Sequence, residues 1–64
     1  MKNKLIRVAM VANGLKQYEL AKLMNIHEAS LSRKMREELP EEEQQRIVDL
    51  IQQHAKDGER HDND

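Results

Sequence analysis

The sequence predicts a small all-α domain of four helices, and three observations carry that prediction. Apolar residues recur at i, i+3, i+4 and i+7 from Leu5 to Ala12, and again at helical spacing from Ile47 to Ala55. That spacing lines one face of a helix. Between them the stretch Gln17 to Arg36, QYELAKLMNIHEASLSRKMR, reads as two short helices around a turn. No stretch alternates apolar and polar residues as a strand does. With 64 residues and no Cys, the chain suffices for one domain without disulfides or thiolate metal sites. A core of that size often gains from oligomerisation.

In chain order, MKNK is a basic arm in which Asn3 is expected to cap the first helix. That helix runs from Leu5 to Asn13. Leu5, Val8, Ala9 and Ala12 form its expected buried stripe, widened by Ile6, Met10 and Val11. Gly14 suits the left-handed cap that ends it. Leu15 and Lys16 lead into the next helix, Gln17 to Met24. Leu20, Ala21, Met24, Ile26 and Leu31 are apolar at spacings that let this helix cross its successor, and the small Ala21 permits close approach. Asn25 sits where the chain reverses, and Asn readily takes the left-handed conformation such a turn requires. Two helices crossing at roughly 90–120° over a short turn form a helix-turn-helix unit. Tyr18, the one aromatic residue, is expected half-buried with its hydroxyl in water.

The second helix of the unit is placed at about His27 to Arg36, and Glu37-Glu38-Leu39 is a loop. Pro40 is expected at the first position of the last helix, where its missing N–H goes unused. Glu41, Glu42 and Glu43 favour the positive end of that helix, and Lys56 its last turn. Ile47, Leu50, Ile51 and Ala55 form its buried stripe, flanked by Val48. Asp57-Gly58 is expected to end it. Residues 1–56 thus form the domain, and 57–64, which carry no apolar residue, a disordered polar tail.

Net charge is −1, but it is divided unevenly. Residues 1–36 hold eight Lys and Arg against two acids, whereas 37–64 hold ten acids against three bases. A basic first half with an acidic remainder is the pattern of a binding face for polyanions, since phosphate contacts need local rather than total positive charge.

At these residues the chain resembles the XRE-type helix-turn-helix family of phage Cro and repressor proteins. Gln17, Leu20 and Ala21 match its Gln-x-x-Leu-Ala opening. Met24, Ile26 and Leu31 match its apolar positions, and Asn25 stands where the family has a turn Gly. With one helix before the motif and one after, the resemblance covers roughly residues 3–56. It implies a lambda-repressor-like fold of four or five helices. It further implies a transcriptional regulator, most simply a repressor, that binds double-stranded DNA. Such proteins bind near-palindromic operators as homodimers and are prokaryotic or phage-encoded and cytoplasmic. The dimer surface is expected on the last helix and the residues leading into it.

In the family the second motif helix lies in the major groove. With Leu31 inward and about 100° per residue, Ala29, Ser32, Arg33 and Arg36 point outward, with Glu28 at the edge of that face. Arg33 can pair with guanine through two hydrogen bonds, Glu28 can accept from cytosine, Ala29 can touch a thymine methyl, and Ser32 can bond to several base edges. Base reading is therefore assigned to Glu28, Ala29, Ser32 and Arg33. The resemblance makes Gln17 a phosphate contact, and Lys16, His27, Lys34 and Arg36 are candidates for phosphate or edge contacts. Lys16 replaces the Ser or Thr usual at the family's cap position. Lys34 stands where an apolar residue is usual, three positions after Leu31, with Met35 the next apolar residue. Either the reading helix is rotated slightly, or the Lys34 stem lies along the core with its charge in water.

No Gly-rich phosphate loop and no nucleophile with a partnered base is present, so no enzymatic activity and no cofactor is expected. His27, His54 and His61 lack the i, i+3 or i, i+4 spacing of a metal site. No apolar run approaches the roughly 20 residues needed to span a membrane, and Leu5 to Ala12 lacks the cleavage region of a signal peptide. Two rival functions stand beside the regulator. One is an antitoxin or accessory regulator whose acidic C-terminal half binds a partner protein, residues 57–64 ordering on it. The other is an interaction module without DNA binding, whose function is indifferent to replacement of Arg33 and Arg36.

Overall fold

The computed structural model describes the backbone of residues 1–62 and the side chains of residues 1–57. Four helices are present, α1 (Lys4–Ala12), α2 (Gln17–Leu23), α3 (Glu28–Lys34) and α4 (Glu41–Asp62), with no strand among the described residues. α1 packs chiefly on α4, α2 packs on α3, and α2 also touches α4. Each helix contributes one fully buried aliphatic side chain to the common core: Ile6, Leu20, Leu31 and Ile51. Each such burial is worth about 1.5–3 kcal/mol. Ala9, Leu15, Ala21, Met35, Ile47 and Val48 fill in around them.

The last helix buries Ile47, Val48 and Ile51 largely as its periodicity requires, with Leu50 and Ala55 half-buried. α1 follows its expected stripe only in part. Leu5 and Val8 are exposed at 40% and 53%, Ala12 is exposed too, and the buried face runs through Asn3, Ile6 and Ala9 with Met10 beside it. That face is in phase with a polar residue. Asn3 is fully buried and joins Ile6 and Ala9 at i, i+3 and i+6, so the buried side is turned by about 100° from the one that Leu5, Val8 and Ala12 mark, with Ala9 common to both. Ile26, expected in the core, is 37% exposed just beyond the end of α2.

Asn3 is not the side-chain cap that its position before the helix suggests. Its φ is 56°, and its side chain makes no hydrogen bond to the start of α1. Instead its Nδ2 donates to the carbonyls of Met35 (3.0 Å) and Glu37 (2.9 Å), and its Oδ1 accepts from the Leu39 N–H (2.8 Å). Its own N–H donates to Glu38 Oε1 (3.0 Å), and its carbonyl accepts from Arg7 N–H. Every polar group it carries is thus satisfied in a site without water access. Gln44, also buried, continues the network. Its Nε2 donates to Glu38 Oε2 (2.7 Å) and to the Leu39 carbonyl, and its Oε1 accepts from Leu5 N–H. The start of α1, the α3–α4 loop and the start of α4 are joined in this way.

α1 and α2 end identically. Past α1, Leu15 N–H bonds to the Met10 carbonyl and Gly14 N–H to that of Val11; past α2, Ile26 N–H bonds to Ala21 and Asn25 N–H to Lys22. Both are Schellman caps, and both place a left-handed residue at the same position, Gly14 at φ 61° and Asn25 at φ 59°.

Pro40 precedes α4 instead of occupying its first position, and its carbonyl accepts the first helical bond, from Gln44. α4 does not stop at Asp57-Gly58 but continues to Asp62, so 57–62 are helical where a disordered tail is expected from composition. Extending a formed helix adds one hydrogen bond per residue fixed, which offsets the roughly 1 kcal/mol cost of an internal Gly. The remainder of the expected tail, 63–64, lies outside the described residues.

These arrangements have two measurable consequences. Replacing Asn25 with Gly relieves the left-handed strain and should stabilise the chain by about 0.5 kcal/mol. The reciprocal Gly14→Asn should cost a similar amount and no more, because no atom lies within 4 Å of where its Cβ falls. Thermal unfolding of both variants checks this. The second concerns Glu38, whose carboxyl is held below the usual glutamate range by the donated Asn3 N–H and then by the Gln44 amide. A lowered folded-state pKa contributes stability that is present above the unfolded value, about 4.3, and is lost as pH falls through the folded one. Denaturant unfolding across that acidic window should show a shallower loss of stability for Glu38→Gln than for the unmodified chain.

Candidate functional site

α2 and α3 are joined by the four residues Met24 to His27, and among the helices only α2 approaches the backbone of α3 closely in the described residues. With Leu31 buried at 0%, the side of α3 facing away from the core is free. Ala29 and Arg33 stand on it, both exposed, and Glu28 is exposed at its edge. Ser32, half-buried, lies on one flank. All four residues expected to read bases therefore belong to one continuous surface. His27 occupies the cap of α3, exposed and without a side-chain capping bond.

The other flank of α3 faces α4, and Lys34 is directed there. Met35 takes the core position, at 5% exposure, while the half-buried Lys34 pairs with Glu43 of α4. Of the two expected arrangements, the half-buried Lys34 is nearer to the second, with its charge meeting a carboxylate rather than water alone. The Lys34 ammonium thus belongs to a partly exposed ion pair worth about 0–1 kcal/mol. Arg36 is also displaced from its expected place, because α3 ends at Lys34 and Arg36 lies in the following turn, its N–H bonded to the Arg33 carbonyl.

Gln17, Ser32 and Arg36 converge on an open hollow of about 550 Å³ whose floor includes Met35. Lys2 and Arg7 complete its rim. Lys2 Nζ donates to the Arg36 carbonyl (2.8 Å), and Arg7 Nε donates to the Lys2 carbonyl (2.9 Å). Neither cation is assigned a role by the sequence motif. Arg7 leaves one signal there, as the only charged residue within the apolar stretch from Leu5 to Ala12. Lys16 stands at the cap of α2. A lysine side chain has no acceptor, so only half of a reciprocal cap forms, with Glu19 Oε1 accepting from Lys16 N–H at 2.9 Å. Tyr18 is half-exposed, as expected for a ring with a wet hydroxyl.

A second, apolar groove of about 420 Å³ lies between α1 and α4, with Leu5, Val8, Ala12 and Val48 in its lining. Val11, 82% exposed, stands on the same helix. The outward residues of α4 are polar, among them Arg46, Asp49 and Gln53, and Gln45 and Gln52 join the lining of the groove. Among the described residues no helix is long and apolar enough to cross a membrane. Comparison with protein-family models, curated proteins and solved structures finds no match.

The placement of Arg36 and Lys2 depends on Asn3, and a substitution there separates its two contributions. Asn3→Asp places a carboxylate against the Met35 and Glu37 carbonyls and beside Glu38. It should lose about 3 kcal/mol in urea unfolding. Asn3→Gly, which keeps the left-handed backbone and adds no charge, should lose less.

Proposed function

We propose that this chain is a sequence-specific double-stranded DNA-binding regulator of the helix-turn-helix type, reading the major groove with α3. The observation that carries this function is the free outer face of α3. Glu28, Ala29 and Arg33 are exposed on it with Ser32 on its flank, and the basic side chains of the neighbouring hollow have no carboxylate partner among the described residues. Arg33 is the main determinant, since a bidentate pair with guanine supplies about 1–3 kcal/mol of discrimination. Ala29, Ser32 and Glu28 offer further base contacts, and Gln17, Lys16, His27 and Arg36 hold the backbone. Lys34 is left out, its charge being engaged by Glu43.

The active form we assign is a homodimer. Two α3 helices one turn of DNA apart, about 34–36 Å, require a two-fold contact between copies. The groove between α1 and α4 suits a second copy better than the polar outer face of α4. Val8 lines this apolar depression and Val11 stands exposed one turn along the same helix, which permits the self-complementary contact that two-fold symmetry demands. A repressor that occludes polymerase is the simplest regulatory outcome.

Selection from a pool of random duplex DNA at two salt concentrations tests this function. The expected result is enrichment of a two-fold symmetric site, with affinity falling steeply as salt rises. Arg33→Ala should then relax one position in each half-site, and Val8→Glu should abolish the symmetric preference. Absence of any enriched site would count against the regulator and favour a protein partner for the acidic half.

A further inference from the structure

We propose that the hollow rimmed by Lys2, Arg7, Gln17, Ser32 and Arg36 seats one phosphate of the DNA backbone, which makes Lys2 and Arg7 part of the binding surface. The proposal rests on the DNA-binding function above and names contacts that function does not by itself require.

The polar part of the lining is a donor set, beside the apolar side chains of Met1 and Met35. Lys2, Arg7 and Arg36 are cations, the Gln17 amide and Ser32 hydroxyl offer N–H and O–H, and no carboxylate is among the lining residues. These polar groups suit an anion. The way the cations are held matters equally. Lys2 is fixed by the Arg36 carbonyl and Arg7 by the Lys2 carbonyl. A neutral carbonyl orders a cation without neutralising it, whereas a carboxylate would do both. Each anchor also leaves donors free: Arg7 spends Nε and keeps both terminal nitrogens, and Lys2 spends one of three N–H bonds. Side-chain ordering, an entropic cost of binding, is therefore partly met before the phosphate arrives. Among the described residues Lys34 is the one Lys or Arg in an ion pair, and it lies on the opposite flank of α3.

Shape and position specify the source of the phosphate. The hollow is open rather than enclosed, as suits a polymer passing across it. It shares Ser32 with the face of α3 that reads bases, so a helix seated in the groove brings the neighbouring strand against it. Donors from three separate segments, the arm at Lys2, α1 at Arg7 and the turn at Arg36, line one hollow. A phosphate held there sets register without reading sequence.

The test uses the full chain and the operator duplex recovered by selection, with binding followed by fluorescence anisotropy. Lys2→Gln and Arg7→Gln should each weaken binding about tenfold, equally on operator and scrambled duplex. Each should also reduce the slope of log affinity against log salt by about 0.9, the share of one phosphate. Arg7→Lys should restore most of that slope, which separates charge from packing, and thermal midpoints should show all variants folded. Methylphosphonate placed singly along the operator locates the seat. One neutralised phosphate per half-site should weaken the unmodified chain and leave Arg7→Gln unaffected. Unchanged affinity and slope in both Gln variants, with Arg33→Ala still relaxing base preference, would overturn the seat while leaving the DNA-binding function standing. Failure of the unmodified chain to bind any duplex would overturn both. A titration with inorganic phosphate that perturbs Ser32 and Gln17 would then mark the hollow as a site for a free anion, against the DNA assignment.

Discussion

The amide of Asn3 is inserted where another turn of α3 would otherwise form. In a continuing helix the Met35 carbonyl would accept from the Leu39 N–H. Here the carbonyl accepts from Asn3 Nδ2 and the N–H donates to Asn3 Oδ1, so one side chain stands in for the missing helical bond. α3 therefore stops at Lys34 without stranding polar groups in the interior, where each would cost about 1–3 kcal/mol. Only Asn meets both demands of the position. Gly supplies the left-handed backbone without the amide, and Gln supplies the amide without comparable tolerance of that backbone. The loop that carries Arg36, the rotation of α1 and the approach of α4 all depend on this one residue.

The rest of the site is built from asymmetry. α3 is supported by α2 beneath it and tethered to α4 on one flank through Lys34 and Glu43. Its outer face and its other flank remain open. Charge is distributed in the same way. The acids of the second half cluster at the start of α4, where they favour the helix end and engage Lys34. The lining of the hollow on the opposite flank of α3 holds three cations beside neutral residues and no acid. A net charge of −1 thus coexists with a surface on which positive charge is not compensated.

Helix number and the core of α2 through α4 are legible in the sequence because aliphatic residues dominate there. Leu20, Ala21, Leu31, Ile47 and Ile51 announce themselves by spacing alone. The rotation of α1 is only partly legible: Ala9 and Ile6 fall on the core side as expected, but Leu5, Val8 and Ala12 do not, and the residue that completes the buried face is polar. A buried Asn satisfied by residues 32 to 36 positions away leaves no local signature. The same limit applies to the candidate site. Ala29, Ser32 and Arg33 follow from helical periodicity about Leu31, whereas Lys2 and Arg7 join them only through contacts between segments distant in the chain. Lys34 is ambiguous for a related reason, since its partner Glu43 belongs to another helix.

The cap that ends α1 also bears on how the chain ages. Asn13-Gly14 is a pair in which the glycine nitrogen can attack the asparagine side chain, closing a cyclic imide and releasing ammonia. In the folded chain Asn13 Nδ2 is bonded to the Ala9 carbonyl at 2.8 Å, and the Gly14 N–H is occupied by the Val11 carbonyl. Both reacting groups are held in a helix-terminating geometry, and the attack requires that geometry to open. Deamidation at this pair thus serves as a clock for the time α1 spends unwound at its C-terminal end.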